Sequence, residues 1–288
     1  MANLGGEVLF SSSYYGKKKR LNRIIKNGRT LIVPVDDSLI FGPFDGLYAI
    51  DYTLNTILKM EPSAILGYKA SYALLEDSQI PFVLNVTAST TMGDHVKKFQ
   101  TSSVVEALTM GADCIAVHVN YTSEEENDML ESMSQIISEA DRYGMGVLAI
   151  AYPRKAVNGR DYNYEDLKLS KNSEYADILC HCVRVSAELG ADIIKTQYTG
   201  NKESFKRVVK SAMGKPIVIA GGSLVEVCES YQMARDAIDA GAIGISYGRN
   251  VFNAKNVEAY LSGMKEIVFN NVDVDHALAI YNKVVRDV

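Results

Sequence analysis

No apolar run in this chain approaches the roughly 20 residues of a membrane-spanning helix. Its start, Met-Ala-Asn-Leu-Gly-Gly-Glu, lacks the charged and apolar regions of a secretory signal. Cysteine is scarce, with residues only at Cys114, Cys180, Cys182 and Cys228. Cys114 falls in an apolar run and Cys228 in a helical one, where buried thiols commonly sit. These features predict a cytoplasmic protein with reduced thiols and no membrane partner. Histidine is equally scarce, with four residues, and no His/Glu cluster has metal-ligand spacing. Cys180, His181 and Cys182 are close in sequence, but on a helix positions i and i+2 point about 200° apart and do not share an ion. No metal and no cofactor is expected. Basic charge is also short, since 30 Lys and Arg face 35 Asp and Glu for a net charge of −5. That balance gives no support for nucleic-acid binding. The one basic cluster, Lys17-Lys18-Lys19-Arg20, is expected to be a short solvated face. Finally, no Gly-x-Gly-x-x-Gly follows the first apolar run, which argues against a dinucleotide fold.

What is present is a repeat. Hydrophobic residues make up 47 % and charged residues 23 % of the 288 positions, values of an ordinary globular protein. Short apolar runs occur at 30–36, 63–68, 81–86, 112–118, 145–152, 191–196, 216–221 and 242–247. Each is followed by a polar break and a segment with helical periodicity, as at 123–143, 173–189, 202–212, 223–240 and 257–269. Gly-Ala or Gly-Ala-Asp precedes three of the runs, at Gly111, Gly190 and Gly241, where glycine ends a helix in the left-handed conformation. Eight alternating units without a second compositional zone predict an α/β fold, the closed (β/α)8 TIM barrel. Residues 1–29 read as an N-terminal extension, irregular over 1–20, with a short helix near 21–26. Residues 30–288 read as a single catalytic barrel domain. The long polar loop at 153–168 is a candidate cover for an active site.

In such a barrel the C-terminal ends of the strands form the active face. Those ends carry Asp36, Asp37, Lys69, His118, Tyr152, Lys195, Gly221-Gly222-Ser223 and Gly248-Arg249. Lys195 stands out, because it interrupts the apolar run Ala191-Asp-Ile-Ile-Lys195. A buried lysine is costly unless paired or neutral, and a neutral amine is what attacks a carbonyl to form a Schiff base. By itself the stretch 191–200 fits a rim lysine reaching water equally well. The last two loops suggest phosphate. Bare backbone at Gly221, Gly222, Ser223 and Gly248, with the Arg249 fork beside it, stands where barrels often bind that anion. Tyr152, one strand from Lys195, has a phenol suited to proton transfer. Asp36 places a carboxylate where packing gives no reason for one.

Val-Pro-Val-Asp36 with Phe41-Gly-Pro43, Ala-Tyr152-Pro-Arg154, Ala-Asp-Ile-Ile-Lys195-Thr-Gln-Tyr-Thr-Gly200, Val-Ile-Ala-Gly-Gly222 and Gly248-Arg249-Asn-Val-Phe252 together resemble the archaeal-type class I aldolase family. Within it they are most similar to the 2-amino-3,7-dideoxy-D-threo-hept-6-ulosonate synthases and related aminohydroxybenzoate-pathway aldolases. Two positions depart from the family pattern. Asp37-Ser38 follows Asp36 where the family usually has His-Gly, and Ile150 stands where the fructose-bisphosphate branch tends to carry an aromatic. The resemblance implies that Lys195 is the Schiff-base lysine, Tyr152 the acid/base and Asp36 an assisting carboxylate, in a homo-oligomer. It further implies condensation of a phosphorylated ketone donor, dihydroxyacetone phosphate or a ketose 1-phosphate, with aspartate semialdehyde. Fructose-1,6-bisphosphate cleavage and a non-catalytic phosphosugar-binding barrel are the alternatives. The acceptor end is expected on the side of strands one and two, opposite the phosphate loops. There Asp37 would take the acceptor's ammonium, and Lys69 or His118 its carboxylate.

Overall fold

The computed structural model describes residues 12–43, 45–75, 78–158 and 160–286. Twelve strands are present among them. They are β1 (Thr30–Pro34), β2 (Ala64–Gly67), β3 (Phe82–Asn85), β4 (Thr87–Ala88), β5 (Phe99–Gln100), β6 (Cys114–Tyr121), β7 (Gly146–Pro153), β8 (Lys155–Val157), β9 (Arg160–Tyr162), β10 (Ile193–Gln197), β11 (Ile217–Ala220) and β12 (Gly244–Ser246). Eight close into a parallel barrel in the order β1-β12-β11-β10-β7-β6-β3-β2, and helices join successive strands. β4 pairs antiparallel with β5, and β8 with β9, above the barrel. The (β/α)8 expectation is met.

Side chains alternate between two cores, because successive residues of a strand face opposite sides of the sheet. One set, including Leu31, Val33, Ile65, Val117, Ala149 and Ile194, packs outward on the helices. The other, including Ile32, Leu66, Val83, Ala116, Leu148, Ile150, Ile193 and Val218, fills the barrel. Closure between β1 and β12 depends on Gly244, where a Cβ would stand 1.8 Å from the Thr30 carbonyl oxygen. The three predicted helix-ending glycines have φ of +82° at Gly111, +103° at Gly190 and +108° at Gly241.

The N-terminal segment differs from expectation. A helix runs Ser12–Ile24, so the second half of the stretch read as irregular is helical; residues 1–11 lie outside the described residues. Leu21, Ile24 and Ile25 press on the interior cluster of the barrel, closing its end remote from the strand C-termini. The basic run that begins at Lys17 is also more than a solvated face. Lys17 Nζ reaches Asp141 at 2.5 Å and Asp192 at 2.9 Å, and Arg20 donates to the Gly144 carbonyl. The expected short helix near 21–26 is the C-terminal end of this one; its earlier turns were missed because Lys17 and Arg20 hold them by polar contacts rather than by an apolar stripe. The helix expected at 223–240 runs Val227–Asp239, since the residues before it form the loop beyond β11.

Candidate active site

Continuing the inward-facing positions of the barrel toward the strand C-termini replaces apolar side chains by polar ones. Above Ile32 on β1 stand Pro34 and then Asp36. Above Ala116 on β6 stands His118, above Ile150 on β7 stands Tyr152, and above Ile193 on β10 stand Lys195 and Gln197. Ser246 tops β12. These residues line one cavity of about 230 Å³. Its wall also includes Asp37, Arg154, Gly221, Gly222, Ser223, Gly248 and Arg249, with Asp161, Asn163 and Glu165 from the chain beyond β7. The loop at 153–168 is therefore a wall of the site, built on the β8–β9 hairpin.

Lys195 is 6 % exposed. Its strand is held between β7 and β11, with Lys195 in register with Ile150 and Val218, so the amine stands on a rigid stem. No carboxylate comes within 4 Å of its Nζ among the described residues. Asp36 is buried and accepts a hydrogen bond from Asn85 Nδ2 at 2.8 Å. Burial pushes the Tyr152 phenol up; Lys195 opposes that shift, and Asp36 reinforces it. Tyr152 is thus held as the protonated phenol. His118 meets the Tyr152 ring edge-on, with centroids 5.1 Å apart. Burial first, then the charges of Lys98, Arg154 and Lys195, push its imidazole well below the usual range and keep it neutral. Its Nε2 is buried with no hydrogen-bond partner.

Across the cavity, the loops after β11 and β12 are locked together by Asn250. Its Nδ2 donates to the Gly221 carbonyl at 3.0 Å and to that of Ser223 at 3.1 Å, and its Oδ1 accepts from the Val225 amide at 3.0 Å. Arg249 Nε lies 3.4 Å from Asp37 Oδ2.

Two expected placements do not hold. Lys69 does not line the cavity: it begins the helix Lys69–Ala73 and pairs with Glu106, both side chains nearly half exposed. The residue before it, Tyr68, turns the other way, donates to the Thr87 carbonyl and has its phenol raised by burial and by Asp36 and Asp37. Asp37 does line the cavity, yet not opposite the phosphate loops. Ring closure makes β1 the neighbour of β12, so Asp37 sits beside Arg249.

Several residues of the site escaped the sequence reading. Asn85 ends β3 as an inward polar residue, a visible but unread signal. His95, Lys98 and Ser89 lie in the chain between β4 and β5, where no periodicity marks them. Lys98 is 4 % exposed and its Nζ donates to Ser89 Oγ at 2.6 Å. Burial, reinforced by the Arg154 charge, brings its amine down to about 7.

The cavity thus brings together the Lys195 amine and the Tyr152 phenol from adjacent strands, the Asp36 carboxylate from β1, and the glycine-rich loops after β11 and β12 with Arg249. The DeoC/LacD family of aldolases matches residues 30–254. A 2-amino-3,7-dideoxy-D-threo-hept-6-ulosonate synthase of Halobacterium salinarum is 36 % identical over 267 residues, covering 92 % of this chain and 96 % of that one. A 2-amino-4,5-dihydroxy-6-oxo-7-(phosphonooxy)heptanoate synthase of Streptomyces griseus is 30 % identical over 267 residues, covering 89 % and 92 %. In fold, an archaeal fructose 1,6-bisphosphate aldolase superposes with a TM-score of 0.77 over 88 % of this chain and 99 % of that one, at 23 % identity. The chain belongs to the DeoC/LacD aldolase family and is an enzyme of the class I aldolase type.

Proposed function

We propose that this protein is a lysine Schiff-base aldolase or transaldolase that joins a phosphorylated ketone donor, dihydroxyacetone phosphate or a ketose 1-phosphate, to aspartate semialdehyde. The product would be an amino-heptulosonate. The observation that carries the reading is that Lys195, Tyr152 and Asp36 share one cavity with the paired glycine loops and Arg249. The names of the Halobacterium and Streptomyces relatives point to the same product class.

In this reading the donor's phosphate lies against the backbone of Gly221, Gly222, Ser223 and Gly248, with Arg249 supplying charge. Its ketone carbon then faces Lys195. Attack by Nζ gives a carbinolamine, and loss of water gives an iminium that draws electrons from the adjacent carbon. Removal of a proton there yields an enamine, whose carbon attacks the acceptor aldehyde and forms the new carbon–carbon bond. Tyr152 donates the proton the departing water needs and, as tyrosinate, takes the proton removed from the adjacent carbon, returning it to the alkoxide formed on the acceptor; Asp36, oriented by Asn85, takes the proton that the attacking nitrogen loses and returns it during hydrolysis. Hydrolysis returns the free lysine. The reading also places the enzyme in the cytoplasm, as a homo-oligomer. No helix among the described residues is long and apolar enough to cross a membrane.

A product assay tests this. Donor supplied with aspartate semialdehyde is expected to give a seven-carbon amino sugar acid, and Tyr152→Phe is expected to slow turnover by about 10²–10⁴-fold. Efficient fructose 1,6-bisphosphate cleavage, with no condensation onto the amino aldehyde, would replace this substrate assignment.

A further inference from the structure

In the closed ring, β3 and β6 lie opposite the pair β11 and β12 that carries the phosphate loops. The wall above β3, β6 and β7 is where an acceptor would meet the enamine. It carries Arg154 and Lys98 with the carboxylate of Asp161 beside Arg154, and its groups are linked in a chain. Arg154 Nη1 donates to His95 Nε2 at 2.6 Å. Because guanidinium only donates, that imidazole nitrogen must accept, and Nδ1 carries the proton toward Ser89 Oγ at 3.3 Å. Ser89 Oγ donates to the His95 carbonyl at 2.8 Å and accepts from Lys98 Nζ at 2.6 Å. Burial, then Lys98 and Arg154, bring His95 down to about 4, consistent with a neutral acceptor.

The arrangement fixes one edge of the Arg154 fork, and Arg154 lines the cavity. Arg154 Nε is buried without a hydrogen-bond partner, as is His118 Nε2 on the same wall. Asp161 Oδ1 lies 3.4 Å from Arg154 Nε, and Asp161 comes from the β8–β9 hairpin. A guanidinium beside a carboxylate is the complement of a carbon that bears both a carboxylate and an ammonium.

Resting on the reading above, we infer that this wall is the acceptor subsite and that it selects a zwitterionic amino-acid aldehyde. Arg154, aimed by His95, holds the acceptor's carboxylate, and Asp161 holds its ammonium. A phosphorylated aldehyde offers Arg154 an equally good anion, but its second charge faces Asp161 and, farther along the loop, Glu165. Like charges brought together in a water-poor site select against that partner. His95 acts through Arg154 and is a positioning residue. This assignment replaces the expected one, in which Asp37 took the ammonium and Lys69 or His118 the carboxylate.

The test is steady-state kinetics at saturating donor, with aspartate semialdehyde and glyceraldehyde 3-phosphate as separate acceptors. Arg154→Gln is expected to raise the KM for the amino aldehyde at least about thirtyfold, the cost of unpairing a held charge. His95→Leu should do the same more weakly, and His95→Gln, which keeps an acceptor for the guanidinium, should recover most of the loss. Asp161→Asn, at a partly exposed position, should shift preference toward glyceraldehyde 3-phosphate by about tenfold. Unchanged acceptor KM values in Arg154→Gln and His95→Leu would overturn the inference, as would an unchanged preference in Asp161→Asn. Borohydride trapping of donor on Lys195 separates the two levels. If wild type traps donor yet these variants leave the acceptor untouched, the subsite is wrong and the aldolase reading stands. If wild type does not trap donor, the aldolase reading itself fails.

Discussion

At the scale of single residues, the site contains two buried lysines with different surroundings. Lys195 is free of any carboxylate neighbour within 4 Å among the described residues. Lys98 is walled in by Ser89, with burial first and then Arg154 lowering its amine to about 7 and Asp36, Asp161 and Asp37 partly countering; His95 and His118 also stand near it as neutral rings. The consequence for stability has a definite sign. The unfolded chain holds this proton up to about 10.5 and the folded one only to about 7, so folding releases a proton between those values. Lys98 therefore costs stability fully below pH 7, and the cost fades as pH rises toward 10.5. Lys98→Met is expected to be more stable than wild type at pH 6, by on the order of 3–5 kcal/mol as an upper figure. The gain should shrink through pH 8 and vanish near pH 10. Urea denaturation across that range checks it, and a gain that does not depend on pH would show that folding does not lower the Lys98 amine.

At the scale of elements, the helix Ser12–Ile24 is the floor beneath the chemistry. Ile24 is fully buried against the barrel interior, and the backbone of β7 approaches so closely that a Cβ on Gly146 would meet Leu21 at 2.6 Å. Arg23 adds an ion pair to Asp113 at 2.6 Å. Ile24→Ala is expected to destabilise the fold by about 2–4 kcal/mol, the usual cost of emptying a buried aliphatic position, measured as a lower denaturation midpoint. A loss below ~1 kcal/mol would mean that the helix is only loosely docked. The elements divide cleanly by how legible they were. Barrel strands such as β6 and β10 announce themselves as β-branched apolar runs between glycine turns, and the helices between them by period. This helix did so only near its end at 21–24, because Lys17, Arg20 and Arg23 hold it by polar contacts, and pairs between residues some 90 to 124 positions apart leave no local pattern. The β4–β5 segment with Lys98 and His95 was missed for a related reason: its polar residues look like any surface loop until the fold buries them.

At the scale of the whole molecule, closure of the ring determines which residues can act together. The strand-end rule sufficed to collect Lys195, Tyr152, Asp36, His118 and the glycine loops, because each tops an apolar run that the sequence displays. It did not suffice to say which side of the mouth each occupies. Reading the strands as a row put Asp37 far from Arg249, and the barrel makes them neighbours. The proposed homo-oligomer also belongs to this scale. Tyr48 and Tyr52, four residues apart, are 81 % and 75 % exposed, an aromatic pair that a monomer leaves in water. Light scattering is expected to return a multiple of the chain mass, and a monomer at micromolar concentration would contradict it. The central claim is that Lys195 forms a Schiff base with a phosphorylated ketone. Its most direct measurement is borohydride reduction in the presence of dihydroxyacetone phosphate, followed by peptide mass mapping. The account predicts a single covalent adduct on Lys195, absent in Lys195→Met; an adduct on Lys98 or Lys69 instead, or none on active wild-type enzyme, would contradict it.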